Sequence, residues 1–249
     1  MKLERPIVHS VLPTLLAMAC LATTLAAAEI NPTPAFPPAV VEALQGQDPA
    51  KVKELSLWTS AIRDEDLAAL KPLTQLESLD LTSTKVSDAG LEHLKTLTKL
   101  KMLDLTSTQV SDAGLEHLKS LTQLDELSLA GTKVSDAGLK HLKTLTKLKW
   151  LFLSDTKVSD AGLEHLKTLT KLAVLDLSGT QVSDKGLAHL KTLTQLEQLW
   201  FTLTQVGDAG LKHLKTLTQL RGLSLTNTKV TNAGVDALKK SLPKCNITR

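Results

Sequence analysis

The sequence predicts an α/β solenoid of about eight repeats, with a parallel sheet on the concave side and short helices on the convex side. The first observation is a 24-residue period that returns the pattern Leu-x-x-Leu-x-Leu-x-x-Thr-x-Val-Ser-Asp-Ala-Gly-Leu-x-His-Leu. The second is that the leucine spacing inside each copy changes from two residues to three. A fixed period of this length is typical of stacked supersecondary units. A degenerate copy opens at Val52, and the regular copies begin at Leu76, Leu100, Leu124, Leu148, Leu172, Leu196 and Leu220.

Each copy predicts one short strand and one short helix. Leu79 and Leu81 stand two residues apart, as in a strand with one buried face. Ser87 and Asp88 then predict a capped helix start, followed by leucines at a spacing that puts them on one helical face. Since strands lie ~4.8 Å apart and packed helices ~8–10 Å apart, the stack must curve with its strands inside. Gly90 and its equivalents predict a close approach between the backbones of neighbouring copies.

The first 28 residues are typical of a secretory signal peptide, with a basic start, an apolar segment and small residues at Ala26–Ala28. A transmembrane anchor is the alternative, but the apolar segment is short and contains Pro13. A lipid anchor at Cys20 is disfavoured because the residues after it stay apolar. We therefore expect export to the periplasm, the cell surface or the exterior, with no transmembrane anchor after signal removal.

Residues 29–51 predict a proline-rich linker followed by an N-terminal capping helix. Such a cap is needed because the open end of a solenoid exposes core leucines. The repeat domain is expected over residues 52–249, and its C-terminal cap near residues 241–249, where the sequence departs from the period. Cys245 and Ile247 are expected to pack in this cap. The other cysteine leaves with the signal, so no internal disulfide is expected.

The segment Leu76-x-x-Leu79-x-Leu81-x-x-Thr84-x-Val86 resembles the strand consensus of the leucine-rich repeat family. Its continuation is similar to the 24-residue bacterial subtype of exported, planctomycete-like proteins. One departure is that this chain carries threonine where the family usually has asparagine, and a threonine hydroxyl supplies only part of the same hydrogen bonding. The resemblance implies a horseshoe or arc that binds other macromolecules and performs no catalytic chemistry.

Stacking in register turns equivalent positions into columns across the concave sheet. Most residues in these columns are small, hydroxylated or charged, but copies five to seven carry large apolar side chains. An apolar patch on a polar face is typical of a recognition surface. The alternative is that these side chains pack on one another and bind nothing. The predicted ligand-binding residues are Trp150, Phe152, Val174, Trp200 and Leu203, with Trp58 and Met102 as outlying candidates.

The charged and histidine columns favour structural roles. Asp80 and Asp104 are neighbours at a spacing used by retaining glycosidases, yet no base or nucleophile completes a site. Histidines recur at the position of His93, but the expected helix spacing is too wide for neighbours to share a metal ion. The outermost strand column alternates in sign from Lys53 and Glu77 onward, which predicts ion pairs and argues against a nucleic-acid groove.

Together these patterns predict an exported, non-enzymatic binding module whose concave face recognises a protein or glycan ligand. The alternative is a structural spacer of the cell envelope or surface, built from the same repeats. An enzyme that uses Asp80 and Asp104 ranks third. No metal and no cofactor is expected.

Overall fold

The computed structural model describes residues 36–249. The predicted signal peptide and Cys20 lie outside these residues. Within them, short strands form one parallel sheet in which each strand pairs with the next along the chain. The strands are Glu54–Ser56 (β1), Ser78–Asp80 (β2), Met102–Asp104 (β3), Glu126–Ser128 (β4), Trp150–Phe152 (β5), Val174–Asp176 (β6), Gln198–Trp200 (β7), Gly222–Ser224 (β8) and Asn246–Thr248 (β9).

The register of the sheet follows the 24-residue period without a slip. Leu55 pairs with Leu79, and Leu79 pairs with Leu103. This register aligns the buried leucines in one column, while the residues on either side of each leucine point to the concave face. The predicted parallel sheet is confirmed.

The C-terminal segment closes the stack with a strand that keeps the period. Ile247 pairs with Leu223 in β8, so the expected departure from the period is wrong for this strand and holds only for the residues before it. Cys245 is buried and Ile247 is partly buried against the core. Burial raises the pKa of the Cys245 thiol to about 11. The thiol is therefore a packing group, protonated at neutral pH.

The convex side consists mainly of 3₁₀-helices. Their three-residue turn suits leucines spaced three apart, and Leu91, Leu94 and Leu97 are all fully buried. Within residues 36–249 no helix has the length and apolarity needed to cross a membrane. The α-helices are Pro38–Leu44 (α1), Asp88–Leu91 (α2), Asp136–Leu139 (α3), Asp208–Leu211 (α4) and Asn232–Lys239 (α5). The 3₁₀-helices are Pro49–Lys51, Asp64–Leu70, Glu92–Thr96, Gly114–Ser120, Lys140–Thr144, Gly162–Thr168 and Gly186–Thr192.

Aspartates link each copy to the next. The expected local helix cap is confirmed at Ser135, Ser159 and Thr231, whose hydroxyls accept an amide two or three residues further on, but it is absent at the start of α2. Ser87 makes no side-chain cap bond at the start of α2. Its amide and its hydroxyl instead donate to the two carboxylate oxygens of Asp64 in the preceding copy, at 2.7 and 2.5 Å. We call this repeated contact the aspartate ladder. It joins Asp64–Ser87, Asp88–Ser111, Asp112–Ser135, Asp136–Ser159, Asp160–Ser183, Asp184–Gly207 and Asp208–Thr231.

The recurring glycine lies directly against this ladder. A Cβ atom added at Gly138 would stand 2.5 Å from Oδ1 of Asp112 and 3.1 Å from its Cα. The predicted close approach is confirmed, and it leaves no room for a side chain.

In the column that the family fills with asparagine, the Thr84 hydroxyl donates to the carbonyl oxygen of Leu81 at 2.7 Å, and its equivalents repeat this bond. Repetition of the glycine thus reflects a contact between copies, and repetition of the threonine reflects a bond within each copy.

Candidate ligand-binding face

Strands β5, β6 and β7 bring the predicted residues of copies five to seven together. Trp150 pairs with Val174, and Phe152 pairs with Asp176, which in turn pairs with Trp200. We call Trp150, Phe152, Val174, Trp200 and Leu203 the aromatic patch. The two outlying candidates lie elsewhere, since Met102 is on β3 and Trp58 follows β1. Phe201 is fully buried in the core, as its leucine-like position predicts.

The centre of the patch is a stacked pair of rings. The centroids of Phe152 and Trp200 lie 6.4 Å apart, with an interplanar angle of 18°. This separation is within the range of favourable aromatic stacking. Because the two residues are on β5 and β7, their side chains flank Asp176 on the strand between them. Both aromatic side chains remain half-buried.

A cation lies against the neighbouring aromatic ring. The Lys149 ammonium nitrogen is 5.7 Å from the centroid of the Trp150 ring, close enough for a cation–π interaction. The same nitrogen forms an ion pair with Asp125 at 3.3 Å. Trp150 therefore combines an apolar surface with a face that already accommodates a positive charge.

Leu203 is an exception in residue type, because it places a large apolar side chain at an exposed position that is left-handed in every copy. Its side chain is 61% exposed, and its φ angle of 60° is in the left-handed region. A leucine held there costs roughly 1–2 kcal/mol relative to an ordinary conformation. The equivalent residues of the other copies are small or polar: Thr59, Ser83, Ser107, Gly131, Asp155, Gly179 and Asn227. Folding therefore gives no reason for a leucine at this position.

The paired aspartates of β2 and β3 make bonds that organise the sheet. Asp80 pairs with Asp104 in register. One oxygen of Asp80 accepts the Thr82 amide at 2.9 Å and the other accepts the Ser56 hydroxyl at 3.0 Å. Asp104 accepts the Thr106 amide at 2.8 Å. These contacts give both carboxylates structural partners at the ends of the strands.

The histidine column is half-buried between the convex helices. Within the described part of the chain, no three histidine, cysteine or acidic side chains are close enough to hold a metal ion. Burial is the main cause that lowers the pKa of His141 and of His213, and nearby lysines lower both further. These imidazoles are therefore predominantly neutral at pH 7.

The outermost strand column forms several of the ion pairs that its alternating signs predict, although Glu197 and Arg221 form none within residues 36–249. Glu77 contacts both Lys53, at 3.1 Å, and Lys101. The hydrogen bonds from these lysines lower the pKa of the Glu77 carboxyl. Ala173 interrupts the alternation beside the aromatic patch. The edge of the sheet therefore carries both signs of charge, which excludes a continuous basic groove there.

Comparison with known proteins places this architecture in a defined class. The family model described as Leucine Rich repeat matches residues 73–95, 96–119 and 168–191. No curated protein sequence is significantly similar to the chain.

Solved structures of bacterial repeat proteins share the fold. An internalin of Listeria monocytogenes, InlF, is 27% identical with a TM-score of 0.68, over 79% of this chain and 54% of its own. The chain thus spans about half the length of that internalin. Internalin C2 of the same organism is 22% identical with a TM-score of 0.67, over 85% of this chain and 93% of its own. A leucine-rich-repeat protein of Leptospira interrogans is 21% identical with a TM-score of 0.53, over 79% and 60%.

The sheet, the short convex helices and the matched repeats identify a leucine-rich-repeat solenoid. The chain is a leucine-rich-repeat protein, and its 24-residue period is consistent with the bacterial form of the repeat.

Proposed function

We propose that the chain is an exported, non-enzymatic binding module whose concave face binds a protein ligand through the aromatic patch. The observation that carries this proposal is the concentration of large apolar side chains on β5, β6 and β7. At the same columns the other strands present small, polar or acidic residues, with Met102 on β3 as the exception. Large aromatic anchors near the centre of a surface supply most of the binding energy at protein interfaces.

Leu203 supports the same face independently of the aromatic residues. An exposed leucine in a left-handed conformation is unfavourable for both solvation and backbone energy. Contact with a partner removes the apolar surface of Leu203 from water and so offsets its unfavourable solvation. Leu203 follows β7, whose Trp200 belongs to the stacked pair, so it extends the patch toward the end of the strands.

Substitution of the tryptophans tests this function. We expect Trp150→Ala combined with Trp200→Ala to abolish capture of a protein ligand from envelope extracts, because each removes a large contact area. Trp58→Ala is measured beside it, because Trp58 is an exposed outlying candidate on the first copy and should contribute less than the patch. Circular dichroism must show that all variants remain folded.

A spacer function is the second candidate, and the stacking of Phe152 on Trp200 favours it, because the rings satisfy each other within the chain. The same experiment separates the two functions. If the double variant folds and retains every partner of the intact chain, the binding face is wrong and the spacer stands.

Export rests on the signal-like sequence of the first 28 residues. N-terminal sequencing of the protein recovered outside the cytoplasm tests it. We expect a mature chain that begins near Glu29, following the small residues. A chain that keeps Met1 and remains in the cytoplasm would contradict export.

A further inference from the structure

The inner concave face has a single sign of charge. Four columns form this face, and they begin at Glu54, Ser56, Trp58 and Thr59 in the first copy. Although the whole chain has a formal net charge of +3, every ionisable side chain in these columns is acidic. The acids are Glu54, Asp80, Asp104, Glu126, Asp155 and Asp176.

These inner acids differ from the acids at the edge of the sheet. Glu77 and Asp125 at the edge are neutralised by lysines. The inner acids form no salt bridge with any residue between 36 and 249. Burial, and secondarily the negative charge of Asp104, raises the pKa of the Glu126 carboxyl. The inner face therefore carries negative charge that the described chain does not balance.

The aromatic patch adds a surface that is suited to a cation. Asp176 lies on the strand between Phe152 and Trp200, and its Oδ1 accepts the Ser178 amide at 2.9 Å, which orients the carboxylate. Aromatic faces attract ammonium and guanidinium groups, most strongly where water is excluded. Lys149 already occupies such a position on Trp150. A stacked pair of rings with a carboxylate on the strand between their strands offers a complementary surface to a positive side chain.

A basic column at one rim of the sheet gives a competing possibility. Exposed lysines follow the recurring threonine of several copies, at Lys85, Lys133, Lys157 and Lys229. An anionic ligand would bind this rim and leave the aromatic patch uncovered. Charge complementarity at the patch itself favours the opposite sign of ligand.

We propose that the partner presents an arginine or lysine side chain of a protein segment to Phe152, Trp200 and Asp176. This inference rests on the binding function proposed above and specifies its ligand chemistry. Contacts to the other inner acids then extend along the segment, so that the interaction weakens with salt.

Three matched peptides test the proposal by isothermal titration calorimetry on the mature chain. Each is capped at both ends and alternates glycine with arginine, glutamine or glutamate. We expect the arginine peptide to bind at least about tenfold more tightly than the glutamine peptide, and the glutamate peptide not to bind. Raising the salt to about 0.5 M should weaken the arginine peptide strongly and the glutamine peptide little.

Two variants assign the binding to the patch. Asp176→Asn keeps an oxygen that accepts the Ser178 amide, and we expect it to weaken the arginine peptide about tenfold. Glu92→Gln removes the same charge from the convex side, where Glu92 pairs with Lys95 at 3.5 Å, and should leave the affinity unchanged.

Two outcomes overturn the cationic assignment. One is an arginine peptide that binds no more tightly than the glutamine peptide, and the other is an Asp176→Asn chain that binds the arginine peptide as well as the intact chain.

If all three peptides bind equally and Trp200→Leu weakens each of them, the binding face stands and only the cationic ligand is wrong. If tight arginine binding is unaffected by Trp200→Leu but lost in Asp80→Asn, the patch is not the site and the inference also fails.

Discussion

The aspartate ladder and the aromatic patch differ in how their residues vary from copy to copy. In the ladder, nearly every copy repeats the same aspartate, serine and glycine, because the serine and glycine of one copy touch the aspartate of the copy before it. In the patch, the side chains point away from the core, and neighbouring copies carry different residues. Residues that repeat therefore stabilise the stack, whereas residues that break the repeat on the concave face are available for recognition.

The largest expected effect comes from the glycine of the ladder. We expect Gly138→Ala to lower the free energy of unfolding by about 2–3 kcal/mol, because the new methyl group overlaps Asp112. Urea denaturation followed by circular dichroism measures it. Gly46→Ala is the control: Gly46 has a φ of 76° but no atom within 4 Å of an added Cβ, so only backbone strain of about 1 kcal/mol remains.

A double-mutant cycle identifies the atoms responsible. Asp112→Ala alone should cost about 2 kcal/mol, since the Ser135 amide and hydroxyl lose their acceptor. Combined with Gly138→Ala, the loss should be smaller than the sum, because the carboxylate that overlaps the methyl group is gone. Strict additivity would mean that the glycine does not face the ladder.

A substitution at Leu203 tests whether an exceptional residue of the patch serves binding at the expense of stability. We expect Leu203→Asn to stabilise the chain by about 0.5–1 kcal/mol, because asparagine adopts the left-handed conformation more readily. The same change should weaken ligand binding. The reverse substitution in the next copy, Asn227→Leu, should destabilise by a similar amount without affecting the ligand. A destabilised Leu203→Asn chain would instead give this leucine a packing role.

The ladder has one incomplete step, which predicts a stabilising change. Gly207 donates its amide to Asp184 at 2.6 Å but has no hydroxyl to donate. An added Cβ would stand 3.4 Å from the nearest oxygen of Asp184, so Gly207→Ser should complete the contact and add about 1 kcal/mol. Thermal denaturation compares the Gly207→Ser chain with a Ser183→Gly chain, which should lose about as much stability as Gly207→Ser gains.

The smallest expected effect is a loss of stability on mild acidification. Burial lowers the folded-state pKa of His141 and His213 below the ordinary value of 6.5, so the unfolded chain binds protons first as the pH falls. Their contribution is present above pH 6.5 and is lost as the pH falls through the lowered values. We expect a lower unfolding midpoint in urea at about pH 5.5 than at about pH 7.5.

The double variant His141→Gln with His213→Gln should reduce the dependence of the urea midpoint on pH. Glu126 acts with the opposite sign, because burial raises its pKa and its protonation favours the folded state. The urea midpoints are therefore also compared in a Glu126→Gln background. There the loss of stability on acidification should be larger, because the opposing contribution of Glu126 is absent. A pH dependence that survives the double histidine substitution would assign the effect to other groups.

Most of the fold was predictable because each copy repeats its own constraints. Leucine spacing predicts both the strand and the helical turn, and the recurring glycine predicts close packing. The ladder was not predictable, since Ser87 and Asp88 equally fit a local helix cap. Only the stacked structure shows that the serine hydroxyl reaches Asp64 in the preceding copy.

The site was partly predictable for the same reason. Register assigns Trp150, Phe152 and Trp200 to the concave face, so their columns could be derived from the period. The stacking of Phe152 on Trp200 across a strand depends on side-chain rotamers, which the period does not determine. The single charge sign of the inner columns could have been found from the sequence, but only by taking these columns together.

The central claim is that the exceptions on β5 to β7 select the ligand while the repeated residues build the arc. A chain with Trp150→Ser, Phe152→Ser, Trp200→Ser and Leu203→Ser tests it most directly, because serine occupies these columns in other copies and the net charge is unchanged. Its binding to the partner captured by the intact chain is measured beside its thermal unfolding. We expect a folded, cooperative chain that no longer binds, and a chain that binds its partner with undiminished affinity would contradict this claim.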